Sequence, residues 1–267
     1  MAKVSAKEVA ALRQATGAGI LDARRALEET DGDFDKAKQW LREQGLAGAQ
    51  KRGGRERSEG AVSVVVTGGG RLGAVVALEC ETDFVAKSAE FVRLVDALAE
   101  TLATDGEAGL ATHASEIDEL KVILKENIAI GGHDRFEAVP GAIMESYLHV
   151  QNGRGVNGVL VEATGMSAEL AHNIAIHIGF ARPEYLRRED VPSEAVEAER
   201  EIVLAIARNE GKPEAQLEKI VDGRLRGWFE ERVLYEQKYA KDDKVTIAKL
   251  LPEGAAVLRF AQVVVGA

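Results

Sequence analysis

The chain has 267 residues, a formal net charge of −10 and 46% hydrophobic residues. This composition is typical of a globular fold with one large core or two smaller ones. The net acidity argues against a general nucleic-acid binder, since Lys and Arg contacts to phosphates supply most of that affinity. The longest apolar runs, such as AVVAL at 74–78, are too short to cross a bilayer.

The cysteine content and the first residues bear on the cellular compartment. Cys80 is the only cysteine, which excludes an internal disulfide framework and a cysteine-based zinc site. The N-terminal MAKVSAKEVAAL has no continuous apolar segment, which favours a helix over a signal peptide. We therefore expect a cytoplasmic protein that has no contact with membranes.

Residues 1–50 are predicted to form three short helices. Ser5 and Glu8 have the spacing of a capping box at the start of the first helix. The second helix ends at TDGD, where Asp33 can cap the third. Such a unit is small for an independent core, so we expect a marginal domain tethered to the rest of the chain.

Residues 51–60 are predicted to be a linker. KRGGRER at 51–57 carries four positive charges and one negative charge. The stretch is rich in glycine and has no aromatic residue on which a base could stack. A solvated linker is therefore favoured over a nucleic-acid patch.

Residues 61–140 change to a β pattern followed by helices. AVSVVVT and LGAVVALEC predict two strands joined in a hairpin at GGGR. A helix over FVAKSAEFVRLVDALAETLA follows, and then another around SEIDELKVILKEN. We expect an α+β subdomain with an antiparallel sheet.

A second subdomain with the same plan is predicted for residues 141–183 and 236–267. IMESYLHV and VNGVLVEATG are predicted strands around the turn QNGRG, and the helix SAELAHNIAIHIGF follows them. Gly73 and Gly158 stand at similar places in the second strand of each half, so we expect related subdomains. The last strand, AAVLRFAQVVV, is expected to return to the second sheet.

Residues 184–235 interrupt the second subdomain. Two long helical stretches are separated by GKP at 211–213, which predicts an inserted antiparallel helical hairpin. The predicted fold class is α+β, with a three-helix N-terminal domain, two related α+β subdomains with antiparallel sheets, and this hairpin.

The sequence indicates no catalytic, nucleotide or metal site of its own. Gly211-Lys212 is followed by Pro213, where a phosphate-binding loop needs Ser or Thr. His172 and His177 lie about 500° apart around a helix, so they do not share a face as a pair of metal ligands would. No Ser or Cys stands in a recognisable nucleophile context. We therefore expect neither an enzyme nor a cofactor.

The most informative stretch is LECETDFVAKSAEF at 78–91, where an apolar strand gives way to a helix. Thr82 or Asp83 can cap that helix. In a local interpretation Phe84 covers the edge of the core, and in the other it is an exposed wedge offered to another molecule. A cap does not need an aromatic residue beside it, so residue chemistry leaves both interpretations open.

Several stretches, in order along the chain, resemble bacterial elongation factor Ts, the nucleotide exchange factor of the translational GTPase elongation factor Tu. The matching stretches are LRQATGAGILDARRALEETDGDFDKAKQWLRE, ETDFVAKSAEF, KENIAI, SYLH, IAIHIGFARPEYL, GKPEAQLEKIVDGRLRGWFEE and LYEQKYAKDDKVTIAKLL. The resemblance covers essentially the whole chain. It implies that the N-terminal domain is similar to ubiquitin-associated domains.

The resemblance also implies how the chain acts and which partner it has. In the family, the Thr-Asp-Phe-Val loop enters the GTPase domain of elongation factor Tu, and its aromatic ring wedges between two helices near the magnesium and phosphate site. The implied partner, GDP-bound or nucleotide-free, would be contacted by Thr82, Asp83, Phe84 and Val85 in this loop, by Ile20, Leu21 and Arg24 in the N-terminal domain, and by His149 in the second subdomain.

Some positions depart from the family pattern, and some questions stay open. Gly131-Gly132 stands where the family often has two arginines, and EQKY at 236–239 replaces a common Glu-Gln-Pro-Phe. A homodimer is left open, and the hairpin could be a strut, a second contact site or a dimer surface. Two alternative functions are an adaptor that binds through the three-helix domain and an enzyme with a site in the groove between the subdomains.

Overall fold

The computed structural model describes residues 4–266, without the side chains of residues 46, 47 and 49–51. The helices are α1 (Ala6–Thr16), α2 (Ile20–Glu29), α3 (Phe34–Arg52), α4 (Asp83–Ala86), α5 (Ala89–Asp105), α6 (Ala114–Leu124), α7 (Ala168–Ala181), α8 (Ser193–Asn209), α9 (Glu214–Arg232) and α10 (Ile247–Leu250). The strands are β1 (Glu59–Thr67), β2 (Leu72–Cys80), β3 (Ala129–Glu137), β4 (Ile143–Gln151), β5 (Arg154–Thr164), β6 (Lys238–Tyr239), β7 (Asp242–Thr246) and β8 (Ala256–Val264). This combination confirms the predicted α+β class. Within residues 4–266, no helix has the length and apolar content needed to span a membrane.

The N-terminal three helices surround a small apolar core of their own. At the start of α1 the predicted capping box is present, with the Glu8 N–H donating to Ser5 Oγ at 3.2 Å and the Ser5 N–H donating to Glu8 Oε2 at 2.8 Å. Gly17 then ends α1 in the left-handed region, at φ 67°. The buried side chains of this unit are Val9, Leu12, Ala23, Ala26, Leu27 and Ala37.

The third helix is longer than the sequence pattern indicated. It continues to Arg52, so the predicted linker at 51–60 begins inside a helix. Its second half packs on α6, where a Cβ added to Gly45 would lie 2.4 Å from Val122 Cγ1. Arg52 Nη2 also donates to the carbonyl of Lys121 at 3.0 Å. The three-helix unit therefore rests on the first subdomain and is not only tethered to it.

The two larger sheets are antiparallel and have three strands each. Their orders are β1-β2-β3 and β4-β5-β8, so the last long strand does return to the second sheet as predicted. Strand β3 was missed, because its sequence AIGGHDRFE is polar and contains two glycines. It is an edge strand in which only Phe136 is buried, and such a strand needs little apolar alternation. The two-stranded sheet β6-β7 also lacked a sequence signal.

Each sheet buries one face under a helix and the other face against the second sheet. On β2 the even-numbered residues from Ala74 to Cys80 share a core with α5, while Val75 and Ala77 face the other sheet. On β5 the alternation is the opposite, with Val159 and Val161 under α7 and Leu160 between the sheets. This gives the layer order α5, first sheet, second sheet, α7.

The two sheets approach closely at two corresponding glycines. A Cβ on Gly73 would lie 2.7 Å from Leu160 Cδ1, and a Cβ on Gly158 would lie 2.8 Å from Val75 Cγ2. Each glycine thus meets the side chain two positions after the other glycine, as expected for two related subdomains packed face to face. The close approach fixes the second subdomain against the first, since a side chain at either position would force the sheets apart.

We predict that Gly158→Ala lowers the free energy of unfolding by about 1–3 kcal/mol, the usual cost of overpacking a dense core. Urea unfolding followed by circular dichroism would measure it. Gly223→Ala is the matched control, since Gly223 lies within α9 and a Cβ there meets nothing within 4 Å. That substitution should stabilise the chain by about 0.5–1 kcal/mol. Equal effects of the two substitutions would contradict the packing argument.

Candidate functional site

The strand-to-helix turn after β2 is a single capped helical turn. Thr82 has extended backbone angles, φ −127° and ψ 152°, and its Oγ1 accepts from the Val85 N–H at 3.4 Å. Of the two predicted caps, Thr82 is therefore the one used. The single helix predicted from Phe84 onward is wrong: α4 ends at Ala86, and α5 begins anew after Ser88. A single turn and a long helix replace one continuous helix because the backbone of Ser88 is extended, at φ −66° and ψ 143°.

Phe84 points away from the body of the protein. Its side chain is 83% exposed, whereas Val85 is 8% exposed and Ala86 is fully buried. The apolar contacts of this turn with the core thus come from Val85 and Ala86. The local interpretation, in which Phe84 covers the core edge, is wrong for this structure. A large aromatic side chain left in water on a structured turn is the kind of surface that partner binding uses.

The carboxylate of Glu126 anchors the turn through hydrogen bonds. Glu126 Oε2 accepts from the backbone N–H groups of Glu81 and Thr82 at 3.0 and 3.1 Å, and its Oε1 accepts from Thr82 Oγ1 at 2.5 Å. The Asn127 N–H in turn donates to Glu81 Oε1 at 2.7 Å. Hydrogen bonds to a charged acceptor are stronger than neutral ones. Phe84 is therefore carried on an anchored backbone, which lowers the entropy lost when a partner orders it.

The two neighbours of Glu126 reach other parts of the chain. Asn127 Nδ2 donates to the carbonyls of Gly53 and Arg55 at 3.2 and 2.7 Å, which fixes the segment between α3 and β1. Lys125, in the left-handed region at φ 58°, pairs with Asp22 at 2.9 Å. Three consecutive residues thus contact the N-terminal helices, the segment after them and the Phe84 turn. KENIAI was predicted only as a stretch that matches the family, and its spacing does not indicate this role.

Charge near Phe84 is set by two neighbours. Asp83 forms an ion pair with Lys87 one helical turn later, and this hydrogen bond is the main cause that lowers the pKa of the Asp83 carboxyl. Asp83 is therefore ionised at neutral pH.

Cys80, the last residue of β2, is buried beneath this turn. Burial raises the pKa of the Cys80 thiol to about 12, and the thiol donates to the Thr82 carbonyl at 3.2 Å. Cys80 is a packing residue and not a nucleophile.

The predicted N-terminal contact residues also lie on the surface. Ile20 and Leu21 begin α2 and are both exposed, Leu21 to 80%. Arg24, one turn later, pairs with Glu28 at 2.7 Å on the exposed side of the helix. Asp22, between these residues, receives the Lys125 ammonium. The apolar pair at the start of α2 is therefore linked to the Phe84 turn through residues 125–126.

His149 lies exposed near the end of β4, with its Nδ1 3.1 Å from the Tyr147 hydroxyl. It lines an open groove of about 810 Å³, formed mostly by the second subdomain, with Ser58 and Glu59 completing the lining. Phe180 lines the same groove and is 80% exposed, although no sequence pattern indicated it as a surface residue. Helix α7 is apolar over most of its length, so the pattern did not show which apolar residue faces water.

The remaining histidines carry no metal-site geometry. His177 is buried, its Nε2 lies 3.0 Å from Gln237 Oε1, and its Nδ1 accepts from the Ala240 N–H at 3.2 Å. Burial lowers the pKa of this imidazole, which keeps it neutral. His172 is exposed and lies 3.8 Å from a Glu145 oxygen. Within residues 4–266 there is no group of three or more His, Cys, Asp or Glu side chains arranged to hold a metal ion.

Comparison with known proteins gives a consistent result. The sequence model of the family described as Elongation factor TS matches residues 81–267, beginning at the Phe84 turn. Elongation factor Ts of Paenarthrobacter aurescens is 41% identical over 97% of this chain and 99% of its own length. Those of Clavibacter michiganensis subsp. michiganensis and Streptomyces coelicolor are 43% and 41% identical, each over 100% of both chains. The resemblance inferred from the sequence is confirmed, and the chain belongs to the elongation factor Ts family.

Proposed function

We propose that this chain is the guanine nucleotide exchange factor of elongation factor Tu in translation elongation. The observation that carries the proposal is Phe84, which is 83% exposed on a turn that Glu126 anchors with three hydrogen bonds. Membership of the elongation factor Ts family supports elongation factor Tu as the partner, and the anchored aromatic residue is a side chain that could insert into it. The chain acts by binding and makes or breaks no covalent bond.

The proposed mechanism uses Asp83 and Phe84 as a wedge in the GTPase domain, with Thr82 and Val85 shaping the turn. Burying a Phe side chain is worth roughly 1.5–3 kcal/mol, or about one to two decades of affinity. If the ring enters only when the magnesium and phosphate site is distorted, this free energy lowers the affinity of the partner for GDP. The coupling is reciprocal, because GDP lowers the affinity for the factor by the same ratio.

Two further surfaces would supply binding energy to the same complex. Ile20, Leu21 and Arg24 would contact the GTPase domain, and His149 would contact a different domain of the partner. Leu21 is as exposed as Phe84, which supports the first contact. The packing of α3 on α6 at Gly45, together with the Lys125–Asp22 pair, joins the N-terminal helices to the segment that anchors the Phe84 turn, so the two surfaces would meet the partner as one unit.

We predict that Phe84→Ala lowers the maximal rate of GDP release from elongation factor Tu by about 10–100-fold, the value of one buried Phe. Stopped-flow release of fluorescent GDP at saturating factor would measure it. The thermal unfolding midpoint should not change, because the ring makes little contact with its own chain. Ile202→Ala, which removes another exposed apolar side chain from α8, is the control and should leave the rate near the wild-type value.

The outcomes separate the candidate functions. Acceleration by both the wild type and Phe84→Ala would keep exchange and move the mechanism to Asp83 or the other surfaces. No acceleration by either, with an active cognate partner, would reject exchange. In that case the exposed Ile20 and Leu21 would favour an adaptor that binds through its N-terminal helices.

We predict a different kinetic effect for Leu21→Ala. The side chain is 80% exposed in the free chain, so truncation should leave stability unchanged. If the partner buries it, the factor concentration at half-maximal GDP release should rise by about tenfold, within the worth of a buried Leu. The maximal rate should change less than about twofold, because this surface lies outside the wedge. A fall in maximal rate alone would contradict the assignment of α2 to binding.

A further inference from the structure

Arg154 carries an interaction that joins the two subdomains at the Phe84 turn. It is the first residue of β5, directly after the tight turn of Asn152 and Gly153, both with positive φ. From there its side chain crosses to the first subdomain. Nη2 donates to Glu59 Oε2 at 2.6 Å, and Nη1 donates to the backbone carbonyl of Asp83 at 3.4 Å.

The side chain is nearly enclosed by this arrangement. It is 9% exposed, and its Nε is buried without a hydrogen-bond partner among the described residues. Enclosing a charge is costly, and a buried ion pair is often no more stabilising than packed apolar side chains. Stability alone therefore does not explain an arginine at this position. Its guanidinium group can instead donate to two separate acceptors at once, which accounts for the choice of residue.

The two acceptors place this fork beside the proposed wedge. Asp83 immediately precedes Phe84 and begins α4, so its carbonyl helps to set the direction of that helical turn. Glu59 begins β1, the strand that pairs with β2 leading into the turn. Arg154 also lines the groove that contains His149 and Phe180. One side chain thus contacts both the wedge and the surface proposed to meet another domain of the partner.

We propose that Arg154 is a positioning residue for nucleotide exchange. It holds the Asp83-Phe84 turn in a fixed direction relative to the second subdomain, so that binding through the groove presents Phe84 to the GTPase domain. The inference rests on the proposed exchange function. Arg154 acts through Phe84 and makes no contact with nucleotide.

A double-mutant cycle of Arg154→Gln and Phe84→Ala tests this, with fluorescent GDP release from elongation factor Tu as the readout. In the wild-type background Arg154→Gln should lower the maximal rate by about tenfold, within the coupling range for residues of one network. In the Phe84→Ala background it should cost less than about twofold. The factor concentration at half-maximal release should stay within about twofold in both.

Arg259→Gln is the matched control for a lost ion pair. Arg259 pairs with the buried Glu162 at 2.5 Å, and Glu162 lies eight positions after Arg154 on the same strand. At about 3.3 Å per residue, Glu162 is roughly 26 Å along the strand from Arg154. Its substitution should destabilise the chain without lowering the maximal rate. If Arg259→Gln slows release as much as Arg154→Gln, the effect is general destabilisation and the inference is wrong.

Two further variants keep the test decisive. Arg154→Lys keeps the charge but not the two-acceptor fork, so it should recover only part of the rate. Glu59→Ala removes one of the two acceptors of the fork and should show the same dependence on Phe84, even if Arg154→Gln does not fold. An equal loss in both backgrounds would overturn the inference, whereas no acceleration by the wild type would overturn the exchange function itself.

Discussion

The carboxylate of Glu126 is the contact on which the candidate site depends. It accepts three hydrogen bonds from residues 81–82 and so fixes the end of β2 before α4 begins. Without such acceptors, two backbone N–H groups and a hydroxyl at the edge of the core would need water, and the turn would be free to move. An exposed aromatic residue contributes most to a complex when its backbone is already ordered in the free protein. The exposure of Phe84 and the anchoring of its turn are therefore two parts of one arrangement.

The close packing of the sheets extends this order to the second subdomain. Gly73 and Gly158 let the sheets approach until each lacks room for a methyl group, so the two halves cannot slide without opening the core. Arg154 then reaches from one half to the turn on the other. The groove with His149 and Phe180 is thereby held at a set distance and angle from Phe84.

Features set by local sequence were predictable, and those set by distant contacts were not. The capping box of Ser5 and Glu8 and the cap at Thr82 depend on residues three positions apart, and the hairpins depend on short turns between neighbouring strands. All of these appear in the structure. Glu126 lies 44 positions from Thr82, and Arg154 lies 71 positions from Asp83, so no spacing pattern in the sequence predicts either contact. Strand β3 was missed because an edge strand can be polar. Phe180 was missed because its helix is apolar on several sides, and only packing decides which side meets solvent.

Rigid presentation of three surfaces also bears on how their binding energies combine. When separate contacts are held on one frame, the second and third form at a high effective concentration once the first has formed. The entropy of arranging them is lost during folding, so in the proposed mechanism more of the contact energy would be left to oppose GDP binding. On this view a loosened Phe84 turn would leave the contacts of the other two surfaces in place, so the partner would still bind, but its GDP would be released more slowly. The geometry between the surfaces, and not their separate affinities, would then set the rate of exchange.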